Sequence, residues 1–176
     1  MILTIGQNTG YWNSPNSGLE KLLPGRTPDR DLVIEIARRV KGMGKRFISY
    51  CACEVVGQSP EVRAALAWNP EDQIEFQKRY TSVIADWSNR LGRLCDGWWI
   101  DGWYDDLAKG KLSIEEYNRA ARAGNPDALT AYNDGAFCVG RLEPVSPLQD
   151  YHAGEVHLLC FLRECKRVGG AVMLNA

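Results

Sequence analysis

The sequence predicts an α/β fold on a parallel sheet, a partial (β/α)8 TIM barrel covering about strands two to seven. Two observations carry this. Short apolar strands alternate with amphipathic helices, and the connections at the two ends of the sheet differ in length. Helix-to-strand connections are short, near Gly44, Gly92, Gly124 and Gly169, whereas the strand-to-helix connections Gly6 to Arg30, Ala52 to Asn69 and Gly102 to Leu112 are long. In parallel α/β folds the C-terminal strand ends carry the functional loops, so a site built from several strands is expected there. A doubly wound sheet shows the same alternation, but Gly6-Gln7-Asn8-Thr9-Gly10 lacks the glycine spacing of a dinucleotide site. Gly44-Lys45 precedes a strand, the wrong order for a phosphate-binding loop.

Ile2 to Ile5 reads as the first strand, and Asp31 to Met43 as a helix with Val33, Ile36, Ala37 and Val40 in one stripe. Phe47 to Cys51 is the second strand. Asn69-Pro70-Glu71-Asp72 has the chemistry of a helix start, and Phe76, Tyr80, Val83, Trp87 and Leu91 continue one face until Gly92. Trp98 to Asp101 is the third strand, Ser113-Ile114-Glu115-Glu116 a capping box, and Ala128 to Tyr132 the fourth strand. His157 to Leu162 fits either a buried strand or a helix start, and Ala171 to Asn175 after Gly169-Gly170 reads as a terminal strand. A whole barrel takes about 250 residues. The 176 residues are therefore read as a single catalytic-barrel fragment, 1–176, with the first and last barrel strands absent and flanking segments of the same barrel missing.

The chain is 24% charged with a formal charge of −1 and carries no Lys/Arg run, which gives no electrostatic footprint for nucleic acid. No apolar stretch approaches the roughly 20 residues needed to span a bilayer, so no membrane partner is expected, and the first residues lack the basic region of a signal peptide. Localisation stays unassigned. Cys51, Cys53, Cys95, Cys138, Cys160 and Cys165 read as buried free thiols, because a chain this rich in core residues needs no disulfide framework. Neither close pair has zinc-ribbon spacing, and Asp150, His152, Glu155 and His157 match no metal motif. No metal and no cofactor are expected.

Asp101 is the sharpest chemical signal. It follows Trp98-Trp99-Ile100 and precedes Gly102-Trp103-Tyr104, a carboxylate at a strand tip among aromatic rings. Such rings suit the C–H faces of sugars, and a carboxylate there can attack an anomeric carbon; equally, an Asp at that place can cap the next turn. Glycoside cleavage needs a second carboxyl group as acid and then base, and Glu155 and Glu54 are the candidates, Glu155 first. Gln7, Asn8, Tyr11 and Trp12 after the first strand form a polar and aromatic set able to bind hydroxyls and stack on a ring. Trp99, Trp103, Tyr132 and Asn133 join them as candidate substrate contacts, with Glu54 in the same role if it is not the acid.

These motifs, taken in order, resemble the α-L-fucosidases of glycoside hydrolase family twenty-nine. Ile2-Leu3-Thr4-Ile5-Gly6-Gln7-Asn8-Thr9-Gly10-Tyr11 resembles that family's second strand and Phe47-Ile48-Ser49-Tyr50 its third. Trp98-Trp99-Ile100-Asp101-Gly102 is similar to its nucleophile motif on the fourth strand. Ala131-Tyr132-Asn133 fits the fifth, Asp150-Tyr151-His152-Ala153-Gly154-Glu155 a loop seen in some members, and Gly169 to Asn175 the seventh. The resemblance implies cleavage of α-L-fucosides, or a related glycoside, with retention through a covalent glycosyl-enzyme on Asp101, with Glu155 as acid/base and a carbohydrate as the partner. Gln7 and Asn8 stand where the family commonly has two adjacent histidines, a departure that keeps hydrogen bonding but removes any charge. The alternative expectation is a catalytically degenerate barrel that binds carbohydrate or a partner without turnover.

Overall fold

In the computed structural model, which describes residues 1–104, 108, 110–135 and 144–153, four parallel strands pair in the order of the sequence. They are β1 (Ile2–Gly6), β2 (Ile48–Ala52), β3 (Gly97–Asp101) and β4 (Leu129–Tyr132). Between them run α1 (Ser17–Leu22) and α2 (Leu32–Gly42), then α3 (Pro60–Ala65) and α4 (Ile74–Leu91), then α5 (Ile114–Ala121). Right-handed crossovers in a sheet of sequential order put all the helices on one face. Trp98 and Ile100 of β3, fully buried, meet the helices through a core that includes Phe76, Ile84, Trp87 and Tyr117.

The register aligns Thr4, Tyr50, Trp99 and Ala131 across the sheet, and side chains alternate along each strand, so this row faces away from the helices. One step along, Gly6, Cys51, Ile100 and Tyr132 form the next row, turned to the helices. Cys51, Cys53 and Cys95 are buried free thiols, as expected of a chain rich enough in core residues to need no disulfide framework; Cys138, Cys160 and Cys165 lie outside the described residues.

Two of the three long connections hold short helices that the sequence reading left as loop. Asn16 caps α1 by accepting the Leu19 N–H at 2.9 Å, while its Nδ2 donates to Val83 O at 2.8 Å and fastens α1 to α4. Ser59 caps α3, with Pro60 in its first turn. The expected helix start at Asn69-Pro70 is corrected: Asn69 and Asp72 close local turns onto Glu71 N and Ile74 N, and α4 begins only at Ile74. These Asx turns satisfy the same orphan donors that a cap would, without starting the helix. α5 packs on α4 through Gly124, where a Cβ would stand 1.9 Å from Ser88 O, and Ser88 Oγ donates to Ala121 O at 2.7 Å. His157 to Leu162 and Ala171 to Asn175 lie outside the described residues.

Candidate functional site

On the sheet face turned away from the helices, reaching to the C-terminal end of β3, an open cavity of about 390 Å3 is lined by Ile2, Thr4, Gln7, Tyr50, Trp99, Asp101 and Asn133. All four strand segments contribute. Asp101 lies on its wall because β3 ends there, one residue past the buried Ile100 and on the opposite face. Its Oδ1 accepts the Gly102 N–H and Asn133 Nδ2, each at 2.8 Å, and Tyr50 OH donates to Oδ2. Three donors from three segments fix the plane of the carboxylate. Oδ2, with one donor, keeps more lone-pair capacity for a reacting atom than Oδ1, with two.

Tyr50 comes from the middle of β2, in register with Trp99, and its ring meets the Trp99 indole edge-on at 5.4 Å. Burial, and then the hydrogen bond to Asp101, push its phenol well above the usual tyrosine range, so it remains a proton donor to the carboxylate. The sequence reading passed over Tyr50 and Thr4. Parity would have found them: once Cys51 and Cys53 are assigned to the core, Tyr50 must face the same side as Trp99 and Asp101.

Glu54, two residues past β2, is 6% exposed, and its Oε2 accepts the Val56 N–H. Its side chain lies against Gly102, where a Cβ would come within 3.1 Å of Cγ and 3.4 Å of Oε1. Gly102 has φ +85°, a conformation suited to glycine, and the missing Cβ is what admits the glutamate. Burial raises the Glu54 pKa and the neighbouring Asp101 charge adds to the rise, against the Val56 N–H, which lowers it. Glu54 stands behind Asp101 rather than on the cavity wall.

The structure brings together Gln7, Trp99, Asp101 and Asn133 of the expected set. Asn8 is exposed on the same loop against Gly57, and Tyr11, 57% exposed, carries the Arg26 guanidinium 4.7 Å from its ring centroid. Three aromatic residues expected at the substrate are corrected to the core. Trp12 is 4% exposed and covers Gly6, to which it pairs in an antiparallel bridge. Trp103 packs edge-on against Tyr117 and Tyr132, and Tyr132 OH donates to Asn118 Oδ1 at 2.8 Å. Trp12, Trp103 and Tyr132 all belong to the buried core. Asp150 spends its carboxylate on Arg122, at 2.6 Å, and on the Thr130 N–H, at 2.7 Å. Glu155 lies outside the described residues.

Neither a protein-family model nor a curated protein matches the sequence. Solved structures do. The chain is similar to the endo-fucoidan hydrolase MfFcnA9 from glycoside hydrolase family 107, with a TM-score of 0.60 and 18% identity over 76% of this chain and 32% of that one. It is also similar to MfFcnA4 of the same family, with a TM-score of 0.59 and 17% identity over 76% of this chain and 27% of that one. For P5AFcnA, again of family 107, the TM-score is 0.58 at 17% identity over 75% of this chain and 39% of that one. At such identity the likeness is one of fold. The chain spans 27% to 39% of the lengths of these neighbours. They belong to family 107, and the family twenty-nine assignment drawn from the motifs is not what the structural likeness supports.

Proposed function

We propose that the chain is the central part of a retaining glycoside hydrolase acting on α-L-fucosides or a related glycoside, with β1 to β4 as consecutive strands of a (β/α)8 barrel. The observation that carries this reading is the Asp101 carboxylate, held by three donors and lining a cavity together with Trp99, Tyr50 and Gln7. The fold shared with endo-fucoidan hydrolases supports a carbohydrate in that cavity, and the nucleophile motif around Asp101 supports a fucose-type sugar.

In the proposed chemistry Asp101 Oδ2 attacks the anomeric carbon. The new Asp101–sugar ester bond forms as the bond to the leaving oxygen breaks, and a second carboxyl group gives that oxygen its proton. Water then attacks the same carbon, passes its proton to the second carboxyl group, and Asp101 departs as a carboxylate. Glu155 remains the acid/base proposed from its motif; a retaining enzyme places it about 5 to 5.5 Å from Asp101. Trp99 offers a ring for C–H contacts, and Gln7, with Asn8 and Tyr11 farther along its loop, offers groups for hydroxyls or a ring.

Hydrolysis of an aryl α-L-fucoside, with the first-formed anomer read by proton NMR, tests this. Retention is expected, with turnover abolished in Asp101→Ala and azide yielding a fucosyl azide of inverted configuration. An inverted first product, or an active Asp101→Ala protein, contradicts it.

A further inference from the structure

Glu54 is a carboxyl group that the proposed chemistry leaves without a task. It is 6% exposed, lies off the cavity wall, and packs against the residue that follows the nucleophile. The two acids are joined by backbone as well: Cys53 N donates to Asp101 O at 2.7 Å, so β2 and β3 hold them side by side. The ionisable groups that act on Glu54 or feel its charge are Asp101 from β3, Cys53 beside it in the chain, and Tyr80 from α4. Burial keeps the Cys53 thiol and the Tyr80 phenol neutral, so Asp101 is the neighbour whose charge changes during a reaction cycle.

We propose that Glu54 is a positioning residue that stays uncharged behind Asp101 and thereby eases the step in which Asp101 leaves the sugar. This rests on the reading of Asp101 as nucleophile. The two half-reactions respond to a charge at Glu54 in opposite ways. During glycosylation Asp101 loses negative charge, which a negative Glu54 would favour. During deglycosylation Asp101 regains that charge, which a negative Glu54 would oppose by like-charge repulsion in a poorly hydrated site. A neutral Glu54 removes the penalty from the second step. Burial, the largest cause of the rise and one that persists while Asp101 is esterified, keeps the proton on the Glu54 carboxyl into a range where ordinary carboxylates have lost it.

The test compares the full chain with Glu54→Gln, which has the same shape, keeps an oxygen for the Val56 N–H and cannot ionise. An activated aryl α-L-fucoside makes deglycosylation limit kcat, and mass spectrometry reads the fraction of enzyme glycosylated on Asp101. In the wild type, ionisation of Glu54 on the alkaline side should lower kcat about ten-fold, the factor equivalent to one pKa unit of coupling. Glycosyl-enzyme should accumulate and kcat/KM should not share the fall. In Glu54→Gln both changes should vanish. Identical pH profiles in the two proteins overturn the inference alone. Absence of a glycosyl-enzyme on Asp101 under every condition overturns the proposed function and this inference with it. If Glu54→Gln fails to fold, difference infrared spectroscopy of the wild type decides. A carboxyl band that persists above the ordinary carboxylate range and disappears with the fall in kcat supports the inference, and its absence overturns it.

Discussion

The side chain that does most to shape the site is Tyr50. Its hydroxyl is, among the described residues, the donor to Asp101 Oδ2, and its ring meets Trp99 edge-on. Tyr50→Phe keeps the ring and removes the donor. A hydrogen bond to a charged group contributes about 1.5 to 3 kcal/mol to stability, and the urea midpoint of Tyr50→Phe at neutral pH should fall accordingly. An unchanged midpoint would show that the contact adds nothing to the fold. Glu54 gives a second prediction at this scale. Its folded pKa is raised, so the stability it contributes as a neutral acid is full below the unfolded value of about 4.3 and is lost as pH rises through the raised folded value. Urea titrations should show Glu54→Gln gaining on the wild type across that window. A difference independent of pH would mean that Glu54 does not titrate there. Asp101, Trp99, Gln7 and Asn133 are legible in the sequence as cavity-lining residues because each lies within, ends or follows a recognisable strand. Trp12, Trp103 and Tyr132 were misplaced because an aromatic residue near a strand end serves core and ligand equally well, and composition does not say which face it takes.

At the scale of elements, all four described strands and the helices α2, α4 and α5 follow from apolar periodicity and caps, with α4 starting later than Asn69-Pro70 predicts. α1 and α3 were missed although both carry caps, Asn16 and Ser59, because six residues are too few for a helical stripe to show. Their stability comes from neighbours instead: α1 is tied to α4 by Asn16 to Val83 O and by Ser17 to Asp86 Oδ2. The junction of α4 and α5 depends on the missing side chain at Gly124. Gly124→Ala places a methyl group against Ser88 O and the Asn89 Cα, backbone atoms that cannot swing away. Overpacking of this kind costs about 1 to 3 kcal/mol, and the urea midpoint should drop accordingly. An unchanged midpoint would show that the two helices separate without penalty.

For the whole molecule, the expected α/β fold on a parallel sheet is found, with the four described strands in sequential order, and Gln7 from the first long connection joins strand residues at one cavity. The family was less legible than the fold. The motif around Asp101 resembles family twenty-nine, whereas the structural neighbours are of family 107, since a short motif of one Asp between aromatic residues and glycine is too brief to single out one family. Everything chemical in this account depends on Asp101 being the atom donor to the sugar. The direct measurement is peptide mass spectrometry after reaction with 2-deoxy-2-fluoro-α-L-fucosyl fluoride, whose fluorine slows release of the covalent intermediate. A single fluorofucosyl adduct on Asp101 is expected; an adduct on another carboxylate, or hydrolysis of aryl fucosides with Asp101 unmodified, would remove Asp101 from the nucleophile's role.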